Sequence, residues 1–173
     1  MAQGKTRAAP SAKARGARVA IVRARWNESV TLALERGAIE SAALAGATVD
    51  LFEVAGSFEL PAAVALLART DRYDAIVPIG CLVRGETPHF DVLAQAVARG
   101  LLELSITHPV AIPFGVLTCD TMAQAEARAG GGEGNKGREA MDAALALVAL
   151  RQALASSAPS ARPRARAASR STR

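Results

Sequence analysis

The chain has 173 residues, half of them apolar, 3% aromatic and 21% charged, with a formal net charge of +5. That length builds one domain with a sizeable core, made largely of Ala, Val, Leu and Ile. No apolar run approaches the roughly 18 residues of a membrane span, and no secretory apolar segment opens the chain, whose first such run is VAIV at 19–22.

In chain order, the first segment is a basic tail. Residues 1–18 carry Lys5, Arg7, Lys13, Arg15 and Arg18 with no acid, and residues 151–173 carry six arginines, again with no acid. The stretch between them then holds 10 basic against 16 acidic residues, so the body is acidic and the pI near 10 belongs to the ends. Rich in Ala, Ser, Pro and Arg, residues 1–17 and 156–173 are expected to be disordered, flanking one domain over 18–155. Two readings of these tails stand: solubilising extensions, or basic arms that touch nucleic acid or an acidic surface. Residues 1–18 also share the Arg-rich, acid-free character of an organelle-targeting segment.

RVAIVRA (18–24) reads as a short strand, and ESVTLALERGAIESAALAG (28–46) as a helix with a glycine stop at Gly46. ATVDLFEV (47–54) is a second strand and LPAAVALLART (60–70) a second helix. DAIVPIGCLV (74–83) is a third strand, in which Pro78 lacks a ladder donor, so a bulge or irregularity is expected there. PHFDVLAQAVARGLLEL (88–104) is a third helix with Val92, Leu93, Ala96, Val97, Leu101 and Leu104 on one stripe. PVAIPFGVLTC (109–119) is a fourth strand, followed by a short helix TMAQAEARA and a longer one from about Asn135 to Leu154. Alternation of helices with nearly continuous apolar strands predicts a four-stranded parallel sheet in a doubly wound, three-layer α/β/α sandwich of flavodoxin-like type. Ligands of such sheets bind beyond the carboxyl ends of the strands.

The loops at those ends are polar or aromatic where the strands are not. They carry Trp26 and Asn27, then Gly56, Ser57, Phe58 and Glu59, then the run from Arg84 to His89, with Phe114 in the fourth strand. Trp26, Phe58 and Phe114 are half of all aromatics, a set suited to a planar heterocycle hydrogen-bonded by Ser57 and Glu59. Structural readings stand beside it: Asn27 as a helix N-cap, Trp26 as a cover for the sheet end, Phe114 as core. Thr87 and Pro88 suit the N-cap and first position of the third helix, leaving free N–H groups that favour an anion. His89, one turn in, is either a proton-transfer group near pH 7 or a partly exposed helix residue. Arg84 pairs with Glu86 or with an acid elsewhere. The stretch EARAGGGEGNKGREA (126–140) reads as a flexible, anion-contacting loop between Arg128 and Lys136, matching neither a P-loop nor a dinucleotide fingerprint. Two histidines and two cysteines at unrelated spacings make no metal site, and Cys81 and Cys119 read as reduced, buried thiols.

Taken together, GSFELP (56–61), GCLVRGETPHFD (80–91), FGVLTCDT (114–121) and RAGGGEGNKGREA (128–140) resemble the 6,7-dimethyl-8-ribityllumazine synthase family over roughly residues 18–152. The resemblance implies a transferase of riboflavin biosynthesis. It condenses 5-amino-6-(D-ribitylamino)uracil with 3,4-dihydroxy-2-butanone 4-phosphate, losing phosphate and water, without metal or organic cofactor. His89 matches the proton-transfer histidine, and Arg128 the arginine that holds the substrate phosphate, with Glu86 and Thr87 lining the same pocket. Trp26 matches the ring that stacks on the pyrimidine. Ser57, Phe58 and Glu59 match the segment holding the ribityl chain and ring, and Cys81, Leu82 and Val83 match backbone that contacts the pyrimidine. Phe114 matches an aromatic contributed across a subunit boundary.

The implied partners are the two small-molecule substrates and further copies of the chain, as a homopentamer or an icosahedral shell, with riboflavin synthase a candidate partner and the cytoplasm the implied compartment. The glycine-rich loop is short, like that of shell-forming members. Three positions depart from the pattern: Trp26 replaces the usual Phe, Gly132 stands where many members have Lys so that Lys136 gains weight, and Pro78 replaces an ordinary strand residue. The runner-up reading is a protein of the same fold that binds flavins or lumazines, or serves as a shell scaffold, without turnover.

Overall fold

The computed structural model of the chain describes residues 14–157. The elements run β1 (Arg18–Ala24), α1 (Glu28–Ala45), β2 (Thr48–Val54), a 3-10 turn (Ser57–Glu59), α2 (Leu60–Ala68) and β3 (Ala75–Val83). They continue with α3 (His89–Thr107), β4 (Gly115–Cys119), α4 (Met122–Arg128), β5 (Ala129–Gly131), β6 (Gly134–Asn135) and α5 (Lys136–Ser156).

The four long strands form one parallel sheet in the order β2-β1-β3-β4. Side chains alternate across it, and each face has its own core. Val19 and Ile21 of β1 with Val77, Ile79 and Cys81 of β3 pack against Leu34 and Ala38 of α1 and Met141 and Leu145 of α5. Ala20, Val22 and Ile76 pack on the other face against Leu60 and Val64 of α2 and Val97 and Leu101 of α3. This is the doubly wound α/β/α sandwich expected. Each fully buried Leu, Ile or Val contributes about 1.5–3 kcal/mol of transfer free energy. Among the described residues one charge is buried: Arg23, 6% exposed, pairs with Glu28, Glu35 and Glu53 and donates to Thr31 Oγ1, so the cost of burying it is offset by partners on α1 and β2.

Four expectations change, and the irregularity expected at Pro78 takes a form other than a bulge in β3. Pro78 produces no bulge in β3, which stays continuous with Pro78 level with Val22 of β1. The interruption falls in the facing strand instead. β3 meets it at an isolated Ala75–Ala111 bridge and again from Ile79–Gly115 onward, with no pairing between. Ile76 N–H donates to Ala111 O at 2.9 Å, so Pro78, two residues on, faces the same neighbour and offers it no donor. The fourth strand is therefore only Gly115–Cys119, and Phe114 precedes it.

On α3, Val92 is 64% exposed and only Val97 and Leu101 are buried, so the expected stripe is half solvent-facing. The glycine-rich stretch is an antiparallel β5–β6 hairpin turning at Gly132 and Glu133. Residues 14–17, assigned to the N-terminal tail from composition, form a turn whose Ala14 and Ala17 are buried in the α1–α5 core. The rest of both expected tails lies outside the described residues. Among the described residues no helix is long and apolar enough to cross a membrane.

Candidate active site

A cleft of about 640 Å3 opens beyond the carboxyl ends of β1, β2 and β3, where a doubly wound sheet places its ligands. Each wall follows from a local cause. After β1, Arg25 and Trp26 continue the ladder by donating to Val54 O and Ala55 O at 3.0 and 3.3 Å. Asn27 then takes the left-handed conformation at φ 57°, which Asn tolerates better than most residues. It occupies the N-cap position of α1 without capping it. Its Nδ2 instead donates to Cys81 O at 2.9 Å, tying the ends of β1 and β3 together. Trp26 is left 74% exposed at the cleft.

The β2 end closes with a capping arrangement. Glu59 carboxylate accepts from Gly56 N–H at 2.8 Å, and Glu59 N–H donates to Gly56 O at 3.3 Å. This turn presents Phe58, 61% exposed, to the cleft. Ser57 is buried, and its hydroxyl has no hydrogen-bond partner among the described residues. Gly80 on β3 makes room for it, since a Cβ there would stand 2.6 Å from Ser57 Oγ.

From β3 come Cys81, Leu82 and Val83, followed by Gly85, Thr87, His89, Phe90 and Leu93. Burial pushes the Cys81 thiol up to about 12 and raises Cys119 as well, so both remain neutral thiols. The N-cap of α3 is Pro88, not Thr87, and no side chain caps this helix. His89 is thus its first residue, exposed, beside backbone N–H groups that carry the positive end of the helix dipole.

The predicted residues divide between two clefts. Trp26, Ser57, Phe58, Glu59, Cys81, Leu82, Val83, Thr87 and His89 line the first. Phe114, Arg128 and Lys136 line a second, of about 400 Å3, against β4 and the start of α5. Glu86 lines neither. Within the second cleft Arg128 donates to Gln124 O at 3.1 Å, and Lys136 Nζ contacts both carboxylate oxygens of Glu139 at 2.8 Å. Sequence reasoning missed Ala55, Gly85, Phe90 and Leu93 as cleft residues, and its structural reading of Asn27 as an N-cap does not hold. The signal it had for Asn27 was an Asn between a strand and a helix, where left-handed turns and caps look alike.

Fold and site together define a doubly wound α/β protein whose strand-end cleft is walled by aromatic rings and carries one histidine and, among the described residues, no lysine or arginine. The family profile described as 6,7-dimethyl-8-ribityllumazine synthase matches residues 16–152. Proteins of that name are similar along most of their length. That of Gemmatimonas aurantiaca is 46% identical over 138 residues, covering 78% of this chain and 84% of the relative. That of Methylobacterium radiotolerans is 43% identical over 149 residues, covering 86% and 88%. That of Thermus thermophilus is 44% identical over 148 residues, covering 84% and 94%. The chain belongs to the 6,7-dimethyl-8-ribityllumazine synthase family.

Proposed function

We propose that this protein is a transferase of riboflavin biosynthesis, condensing 5-amino-6-(D-ribitylamino)uracil with 3,4-dihydroxy-2-butanone 4-phosphate to 6,7-dimethyl-8-ribityllumazine. The observation that carries this reading is the first cleft, where rings, a hydroxyl, strand-end backbone and one histidine converge. Trp26 stacks on the pyrimidine and Phe58 walls the site. Ser57 and Glu59 hold the ring and ribityl chain, beside the backbone of Cys81, Leu82 and Val83. The ring amine attacks the ketone, forming a C–N bond, and the adduct loses water to give an imine. Phosphate then leaves, the enol so formed becomes a ketone, and the ribityl-bearing amine attacks that carbonyl, closing the ring with loss of a second water. Each step moves a proton, and His89 takes and returns it beside the start of α3. Holding two substrates together supplies much of the rate, since positioning alone is worth several kcal/mol.

Arg128 binds the departing phosphate, supported by Lys136 and by the backbone of Glu86 and Thr87 leading into the start of α3. Arg128 and Phe114 lie on the second cleft of the same chain, which supports a site completed by a neighbouring copy: the second cleft of one chain covers the first of the next. A head-to-tail contact of this kind closes into a ring, here a homopentamer, alone or assembled into a shell. Two buried free thiols support a reducing compartment, the cytoplasm.

The test is lumazine absorbance when purified protein meets both substrates, against a protein-free control. A rate well above the control is expected, with Arg128→Ala raising the KM for the phosphate substrate about 10- to 100-fold, as loss of a charge-assisted contact predicts. A rate equal to the control would overturn the reading.

A further inference from the structure

Arg84, the first residue after β3, has no task in the reaction above and does not line the first cleft. Each of its three guanidinium nitrogens donates to a carboxylate. Nη1 and Nη2 donate to the two carboxylate oxygens of Asp91 at 2.9 and 3.0 Å, and Nε donates to Asp120 Oδ1 at 2.8 Å. Its Cζ lies 4.3 Å from the centroid of the Phe90 ring, and its backbone N–H donates to Cys119 O at 2.9 Å. A planar fork paired with one carboxylate, donating sideways to another and stacked on a ring is the most directional arrangement an ion pair takes.

The partners come from different places in the fold. Phe90 and Asp91 are the second and third residues of α3, and Asp120 follows β4. Between Arg84 and α3 lie only Gly85, Glu86, Thr87 and Pro88, and α3 has no side-chain cap to fix its entry. Gly85, Glu86, Thr87 and Pro88 are all exposed, so packing does not hold this turn either. Phe90 and His89 both line the cleft, so whatever orients the first turn of α3 orients the histidine. The tie continues past Asp120, whose N–H donates to Gln124 Oε1 at 2.9 Å, while Gln124 O accepts from Arg128 at 3.1 Å. The Arg84 guanidinium also holds the Asp91 carboxyl below its ordinary range.

We propose that Arg84 is a positioning residue: through Asp91, Asp120 and the face of Phe90 it locks the Gly85–Pro88 turn and the first turn of α3, so that His89 and the free N–H groups of the helix face the cleft. This rests on the synthase reading. Its consequence is that Arg84 shapes the phosphate and proton-transfer side of the site without touching substrate.

The test compares Arg84→Lys and Asp91→Asn with wild type in steady-state kinetics and in amide hydrogen exchange. Lysine keeps the charge and loses the fork and the stack; Asp91→Asn leaves Arg84 in place with its main partner uncharged. Both variants are expected to lower kcat and raise the KM for the phosphate substrate, each about tenfold, as a misaimed group does. The KM for the pyrimidine substrate should stay within about twofold, and exchange over residues 85–93 should quicken while that of α5 does not. Unchanged kinetics and exchange in both variants would overturn the proposal. So would a lower phosphate-substrate KM in Asp91→Asn, because a freed guanidinium that tightens binding would itself be the phosphate ligand. A wild-type protein that makes no lumazine would remove the synthase reading, and the exchange measurement would then decide the lock by itself.

Discussion

His89 stands at the head of α3, exposed at the cleft beside the positive end of the helix. A proton shuttle contributes about 10²- to 10⁴-fold, so His89→Ala should slow lumazine formation by that factor while leaving measurable turnover. Substrate positioning by the other walls does not depend on the imidazole, and stopped-flow absorbance would measure the residue that remains. Cys81 sits in the opposite setting, buried at the end of β3 with its thiol outside the reaction. Burial holds its thiol up at about 12, against roughly 8.5 in an unfolded chain. The neutral thiol therefore favours the folded state, fully below the unfolded value, and that contribution is lost as pH rises toward 12. Urea midpoints of wild type should fall between pH 8 and pH 10 more steeply than those of Cys81→Ala, and the native thiol should resist a disulfide reagent at pH 8.

At the scale of elements, Asn135 joins the hairpin, α5 and α1. Its Oδ1 accepts from Gly137 and Arg138 N–H at 2.9 and 3.0 Å, capping α5, while Nδ2 donates to Ala33 O on α1 at 2.8 Å. Asn135→Ala removes both functions and should cost about 2 kcal/mol in a urea titration, with Asn135→Asp recovering the capping part. Gly137 is needed beside it, because a Cβ there would lie 2.0 Å from Leu34 O. The sequence placed a helix start near Asn135 but showed none of these contacts, and it read 126–140 as a flexible, anion-contacting loop. Glycines that permit close helix packing look the same, in one dimension, as glycines that loosen a loop. Thr87 misled for a related reason: the residue type that caps stands one place too early, and Pro88 takes the cap position.

For the whole molecule, the exposed apolar surface carries the argument. Leu147, Leu150 and Leu154 lie on α5, Val92, Leu102 and Ile106 on α3, and Leu51 and Phe52 on the edge strand β2, each at least 37% exposed. Apolar surface on three sides of a small α/β domain marks contact surfaces, and the division of site residues between two clefts asks for the same neighbours. Light scattering should give a mass of five chains or a multiple of five, and activity should fall on dilution together with that mass. A fully active monomer would show that one chain completes its own site.

Composition, apolar periodicity and turn residues were enough to determine the alternation of strands and helices, the parallel sheet covered on both faces, and the loops that carry the cleft. These depend on local patterns of burial that recur every two or 3.6 residues. The four quoted motifs carried the family as well. Only the tertiary structure decided where β4 begins, that Asn27 reaches across to Cys81 rather than capping its own helix, and that Arg84 binds Asp91 and Asp120. It also separated Arg128 and Phe114 from His89 within one chain. Those outcomes depend on which residues, 36 or 54 positions apart, become neighbours once the sheet forms, and a linear pattern does not contain that distance.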